Sequence, residues 1–164
     1  MKLTIDNYVN ATEYDWYGDL DYLGDKWWSA LATSDNASVT EMYATALSIL
    51  NTNYKPISDR FGGKPFIFAE VAYYSANTSA MQQYQVYSPE ISDFTAAVAK
   101  STSDYDEQAR AYQATLLAFA NTPWVQGCYS FGYAYFDFDS KGYSIRGKTA
   151  DEIMSQIYKQ LNGP

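Results

Sequence analysis

Apolar and polar residues follow a pattern along the chain that switches between strand-like and helix-like spacing. Strands are predicted over residues 3–9, 20–28, 65–72 and 124–135, where apolar residues are continuous or alternate with polar ones. Strands with nearly continuous apolar residues are typical of parallel sheets that helices cover. The pattern therefore predicts four strands of one buried sheet.

Helix-like spacing fills the intervals between these strands. The capping-box sequence Ser38-x-x-Glu41 begins one helix, and Pro56 is expected to break or kink it. Two more helices are predicted over residues 106–120 and 149–162. This alternation of strands and helices predicts an α/β fold with a parallel sheet.

The chain is predicted to be a single domain over residues 1–164, because no linker-like segment divides it. The interval over residues 73–103 is long, and it carries a predicted helix over residues 90–100. Connections of this length are usually binding loops or lids. We therefore expect this segment to lie beside a functional site.

Composition excludes several classes of function. The chain has 164 residues, a net charge of −8 and a pI near 4.3, so nucleic acid is a poor partner. It has no histidine, which excludes Ser-His and Cys-His catalytic pairs, and a single cysteine, Cys128, which excludes a Cys-rich zinc site. We expect no cofactor and no metal. No apolar run is long enough for a membrane span, and no signal-peptide stretch follows Met1, which leaves a cytoplasmic or a secreted location open.

Aromatic residues make up 18% of the chain, including 17 tyrosines and 4 tryptophans. Buried tyrosine hydroxyls need hydrogen-bond partners, so a core does not require so many of them. Tyrosine and tryptophan suit a cleft that stacks on sugar rings, although a general bias toward tyrosine would give the same composition. If these residues form such a cleft, the predicted partner is a sugar.

Two acidic residues stand at the ends of predicted strands. Glu70 lies within the apolar run of residues 66–72, where an ionised side chain is costly to bury. It is either a catalytic carboxylate at the carboxyl end of a strand or a structural partner of an Arg or Lys. Asp25 ends the second predicted strand, and it either faces the cleft or forms a surface turn with Lys26.

Several further residues are candidates for contacts with a sugar. Trp27 and Trp28 follow Asp25 directly, and one of them either stacks on a sugar ring or packs in the core. Tyr73 and Tyr74 begin the long interval after Glu70 and are expected to line the cleft. Asn7 is a candidate hydrogen-bond donor to a sugar hydroxyl, with a cap or turn as the alternative. These candidates, in sequence order, are Asn7, Trp27, Trp28, Tyr73 and Tyr74.

Five segments, in this order, resemble consecutive parts of the clan-A glycoside hydrolases, whose fold is a (β/α)8 barrel. The segment over residues 63–73, with Lys64-Pro65 leading into a strand that ends in Glu70, resembles their seventh strand. The sixth strand of the family is resembled by residues 20–24, and its seventh helix by residues 106–112. The start of its eighth strand is resembled by residues 123–127, and the segment before its last helix by residues 142–148. The most similar group is the β-mannanase-like family 113.

The resemblance implies a retaining glycosidase that cleaves a β-1,4-linked glucan or mannan with Glu70 as the nucleophile. Three features depart from the family, and the first is Ala72, where the family tends to have glycine. The family's acid/base glutamate follows an asparagine on the fourth strand, and this sequence has no such pair. Phe131, Tyr133 and Tyr135 stand where the family's eighth strand ends near a tryptophan, which makes Tyr133 a candidate substrate contact. A non-catalytic carbohydrate-binding protein or a degenerate half-barrel is the alternative function.

The segments correspond to the fifth to eighth strands only, so the expected fold is a (β/α)4 half of a TIM-type barrel. Four parallel strands cannot close a barrel, so the chain is either a fragment of a barrel or one half of a two-fold homodimer that supplies eight strands, and the dimer is favoured. In that dimer the last strand of the partner copy takes the position of the fourth strand. Asp137, or less favourably Asp139, would then be the acid/base in trans, unless both residues only form a turn. Asp25 is the alternative in cis.

Overall fold

A computed structural model of the protein describes residues 15–34, 36–77, 79–81, 101–135 and 141–162. Three strands form a parallel sheet in the order β1-β2-β3: β1 (Leu23–Trp27), β2 (Phe66–Val71) and β3 (Val125–Ser130). The predicted α/β fold with a parallel sheet is therefore confirmed over these strands. The strand predicted over residues 3–9 and the helix predicted over residues 90–100 lie outside the described residues.

Four helices accompany the strands in the described part of the chain: α1 (Val39–Ile49), α2 (Lys55–Arg60), α3 (Tyr105–Ala120) and α4 (Thr149–Asn162). The capping box at α1 forms as predicted, because the Ser38 side chain accepts a hydrogen bond from the Glu41 N–H and Glu41 bonds back to Ser38. None of the described helices has both the length and the apolar character needed to cross a membrane.

The sequence predicts that Pro56 breaks or kinks the helix, and the regular α-helix is interrupted just before this residue. A π-helical turn (Leu50–Tyr54) separates α1 from α2, and the Lys55 N–H bonds to the carbonyl oxygen of Leu50, five residues earlier. Proline has no N–H to donate, and the wider π turn lets the helix continue past it. The helix ends where Gly62 and Gly63 adopt positive φ angles of 76° and 78°, as their position in the sequence indicates.

One face of the sheet packs against the helices and is called the helix face. Phe66 and Phe68 of β2 are at most 2% exposed on it, and the Phe68 ring stacks on Phe119 of α3 with centroids 4.5 Å apart. Cys128 of β3 meets α4 on the same face, where the hydroxyl of Tyr158 donates to the Cys128 carbonyl oxygen at 2.6 Å. Burial raises the pKa of the Cys128 thiol to about 11, so this cysteine is an unreactive core residue.

The third described strand is shorter than predicted. β3 ends at Ser130, and Gly132 adopts a φ of 69°, which turns the chain away from the sheet. Tyr133 and Tyr135 therefore lie in the connection after the strand, and they are 55% and 66% exposed. The alternating aromatic pattern that extends past Ser130 is a surface pattern here rather than a continuation of the strand.

Candidate functional site

Glu70 lies at the carboxyl end of β2, which is the middle strand of the described sheet. The register of β2 against β1 pairs Phe68 with Asp25 and then Glu70 with Lys26, so Ala69 is an extra residue on β2. Such a bulge shifts the two-residue alternation of side chains along a strand. Glu70 consequently lies on the face opposite Phe66 and Phe68, which is called the open face.

The carboxylate of Glu70 faces the ammonium group of Lys26. The distance from Lys26 Nζ to Glu70 Oε2 is 3.6 Å, and the two side chains are 27% and 25% exposed. Glu70 Oε2 itself is covered and has no hydrogen-bond partner among the described residues. The exposed quarter of the Glu70 side chain therefore lies on its other atoms.

Aromatic rings continue the site from Lys26 across the carboxyl ends of the strands. Lys26 Nζ lies 4.9 Å from the centroid of the Trp28 ring, within the range of a cation–π contact. Trp28 meets Phe131 edge to face at 5.7 Å, and Phe131 meets Tyr143 at 5.8 Å. These three rings, called the aromatic wall, are only partly covered, with Phe131 36% exposed.

Tyr129 is a candidate that the sequence did not single out. It is 65% exposed on β3, between Cys128, which pairs with Phe68, and Ser130, which pairs with Val71. It therefore stands beside the bulge that carries Glu70, on the open face. The signal was present in the sequence, because Tyr129 belongs to the alternating pattern of residues 125–135, but that pattern does not tell which face is open.

Trp27 is not a sugar platform. It is 0% exposed, its ring packs against Tyr54, Phe68 and Phe119, and its indole N–H donates to the Tyr73 hydroxyl at 2.8 Å. The pairing of Trp27 with Val71 places it on the helix face, which corrects the expectation for this residue. Of the Trp pair, Trp28 alone is close to the candidate site.

Tyr73 and Tyr74 do not line an open cleft in this chain. Tyr73 is 2% exposed, and its hydroxyl lies 3.2 Å from both the Ser29 carbonyl oxygen and the Thr115 hydroxyl. Burial raises its pKa far above the usual range for tyrosine. Tyr74 is 3% exposed and packs edge to face on Tyr143. The expectation that these two rings stack on a sugar is corrected, because both are covered by protein.

Asp25 also lies away from the open face. It is 4% exposed and pairs with Phe68, so its side chain belongs to the helix face, and its Oδ1 accepts a hydrogen bond from the Lys26 N–H at 2.7 Å. The expectation that Asp25 faces the cleft as the acid/base in cis is corrected, because its register places it on the opposite face from Glu70.

The remaining predicted site residues are exposed or lie outside the described residues. The Tyr133 hydroxyl donates to Asp151 Oδ2 at 3.2 Å, which holds the ring beside the start of α4. Asn7, Asp137 and Asp139 lie outside the described residues. Over the described ranges no group of three potential metal ligands comes together.

Solved structures that are similar in fold to this chain include glycoside hydrolases. A GH113 β-mannanase from Alicyclobacillus acidocaldarius in complex with ManMIm matches 97% of this chain with a TM-score of 0.64 and 16% identity, over 45% of its own length. Two GH113 β-1,4-mannanase structures match 96% of this chain with TM-scores of 0.63 and 0.58 and identities of 18% and 17%, over 44% of their lengths. No protein-family model matches the sequence, and no curated protein matches it significantly.

The chain is therefore similar in fold to about half of a GH113 TIM barrel, and it spans less than half the length of these structures. The resemblance inferred from the five segments is confirmed at this level. At 16–18% identity the similarity establishes the fold alone.

The two neighbouring tryptophans give a matched test of the site. Trp27→Ala is expected to lower the free energy of unfolding by about 3–5 kcal/mol, because it empties a fully buried position. Trp28→Ala is expected to fold with a much smaller loss, because the Trp28 ring is only partly buried. Thermal unfolding of both variants measures the two losses. Equal losses in the two variants would contradict the placement of Trp27 in the core and of Trp28 in the aromatic wall.

Proposed function

We propose that the chain forms half of a glycoside hydrolase site for β-1,4-linked mannan or glucan, with Glu70 as the nucleophile. The observation that carries this proposal is the position of Glu70: a partly exposed carboxylate at the carboxyl end of a parallel strand, beside the aromatic wall. In α/β barrels catalytic groups lie at this end of the strands. The fold shared with the GH113 β-mannanases supports the same assignment.

The chemistry of a retaining glycosidase uses two carboxyl groups about 5–5.5 Å apart. One attacks the anomeric carbon, and the other donates a proton to the leaving oxygen and later accepts one from water. Glu70 has the first role in this proposal. We assign the second role to Asp137 of a partner copy on the basis of strand order, with Asp139 as the less favoured choice.

A second copy of the chain is the proposed source of the other half of the barrel. Two copies related by a two-fold axis bring together eight strands, and closed two-fold dimers are the commonest oligomers. The open face supports this proposal, because Tyr129 on it is 65% exposed, whereas the interior of a closed barrel is filled by side chains. Each dimer would contain two equivalent sites.

Release of reducing ends from β-1,4-mannan and from a soluble β-1,4-glucan tests the proposed activity directly. The expected result is hydrolysis of at least one of the two polysaccharides, with retention of configuration at the anomeric carbon by proton NMR of the first product. Binding of mannohexaose without any release of reducing ends would instead favour a carbohydrate-binding protein. One observation favours that second function, namely that the Glu70 carboxylate is already paired with Lys26.

A further inference from the structure

The Lys26–Glu70 pair is arranged asymmetrically around the carboxylate. Oε2 faces the ammonium group at 3.6 Å and is covered, while the exposed part of the side chain lies on its other atoms. A covered acceptor without a hydrogen bond costs folding free energy, and an exposed ion pair contributes little stability. Sheet stability alone is therefore a weak reason for this arrangement.

Lys26 is also held in place from several directions. Its backbone is paired with Glu70 in the sheet, and the Tyr54 hydroxyl donates to its carbonyl oxygen at 3.4 Å. Its Nζ lies over the Trp28 ring at 4.9 Å. The main chain of Lys26 is therefore held by the sheet and by Tyr54, and its ammonium group lies near both the carboxylate and the first ring of the aromatic wall.

We infer that Lys26 is a positioning residue for Glu70: it fixes Oε2, leaves Oε1 to attack the sugar, and stabilises the carboxylate when it leaves the glycosyl-enzyme ester. The inference rests on the proposed function and adds a residue to it. A bound ester is neutral and has no charge to pair with the ammonium group. Release of the carboxylate restores the ion pair, so Lys26 favours the second half of the reaction over the first.

The proposed reaction has two steps. Oε1 of Glu70 forms a bond to the anomeric carbon while the bond to the leaving oxygen breaks, and that oxygen takes a proton from a carboxylic acid. Water then adds to the anomeric carbon, the ester bond to Oε1 breaks, and its electron pair returns to Glu70. The proton of the water goes to the carboxylate that lost one in the first step.

Steady-state and burst kinetics of Lys26→Met test this inference with 2,4-dinitrophenyl β-mannobioside, whose leaving group departs without a proton. Loss of the charge is expected to lower kcat by about a hundred-fold. KM is expected to fall with it, so that kcat/KM is retained, because the ester accumulates. A burst of dinitrophenolate equal to the concentration of sites is the accompanying signal.

Three variants separate this role from a structural one. Lys26→Arg retains the charge and is expected to keep most of kcat, and Lys64→Met removes a lysine before β2, at the opposite end of the strand, and is expected to change nothing. If Lys26→Met does not fold by circular dichroism, Lys26→Gln provides the same measurement. The inference is overturned if kcat falls at constant KM without a burst, or if kcat does not change. A wild-type protein that hydrolyses neither this substrate nor a β-1,4-polysaccharide overturns the proposed function itself.

Discussion

Glu70→Gln is expected to lower hydrolysis of β-1,4-linked mannan or glucan by at least about a thousand-fold, because an amide cannot form the glycosyl ester. The melting temperature is expected to change little. The substitution preserves the shape of a side chain that is 25% exposed, and the partly exposed ion pair with Lys26 contributes about 1 kcal/mol or less. Release of reducing ends and thermal unfolding by circular dichroism measure the two effects on the same samples.

Glu152→Gln is the matched control for this substitution. Glu152 is an exposed glutamate in the first turn of α4, away from β2, so the same change of charge there is expected to leave activity intact. If Glu70→Gln keeps its activity, Glu70 is a structural partner of Lys26 and the proposed mechanism is wrong. If activity and folding are lost together, the ion pair stabilises the sheet far more than its exposure suggests.

A mixture of two inactive variants, Glu70→Gln and Asp137→Asn, is expected to recover activity after subunit exchange. In the proposed dimer each site takes Glu70 from one chain and Asp137 from the other. A heterodimer then contains one site that carries both substitutions and one intact site. Random exchange of equal amounts makes half of the dimers heterodimers, so about a quarter of wild-type activity is expected.

Exchange itself must be measured in the same experiment, for example by native mass spectrometry of a tagged and an untagged chain. Glu70→Gln mixed with an equal amount of Glu152→Gln is the control, and about half of wild-type activity is expected there before and after exchange, because each Glu152→Gln chain supplies one intact Glu70 and all chains supply Asp137. If heterodimers form and Glu70→Gln with Asp137→Asn stays inactive, the acid/base is not Asp137 in trans. A stable folded monomer by light scattering would contradict the dimer directly.

The sequence predicts the fold well where the apolar pattern is long and regular. The near-continuous apolar run of residues 65–72 predicts a buried strand, and α3 and α4 follow clear helical spacing. The sequence predicts the ends of helices and strands less well. At Pro56 the predicted break or kink takes the form of a π-helical turn, and β3 stops at Ser130 although aromatic alternation continues. Local spacing does not contain the information that decides either case.

The candidate site, too, is predicted by the sequence only in part. Glu70 stands out because an acid within an apolar strand is costly to bury and needs a reason to be there. The face on which each neighbour lies depends on the bulge at Ala69, and no sequence pattern predicts that bulge. The side chains of Trp27 and Asp25 therefore belong to the helix face, whereas Lys26 and Glu70 lie on the open face. The sequence suggests an Arg or Lys partner for Glu70 as one alternative but does not identify it, and the structure shows that Lys26 is this partner.

Covalent trapping is the most direct test of Glu70 as the nucleophile. The protein is incubated with a 2-deoxy-2-fluoro-β-mannobiosyl fluoride, which forms the glycosyl ester quickly and releases it slowly, and is then digested for peptide mass spectrometry. One added fluoroglycosyl group is expected for each active site, on the peptide that contains Glu70, and none is expected in Glu70→Gln. A label on another carboxylate, or an active enzyme that hydrolyses β-mannan without any label at Glu70, would contradict it.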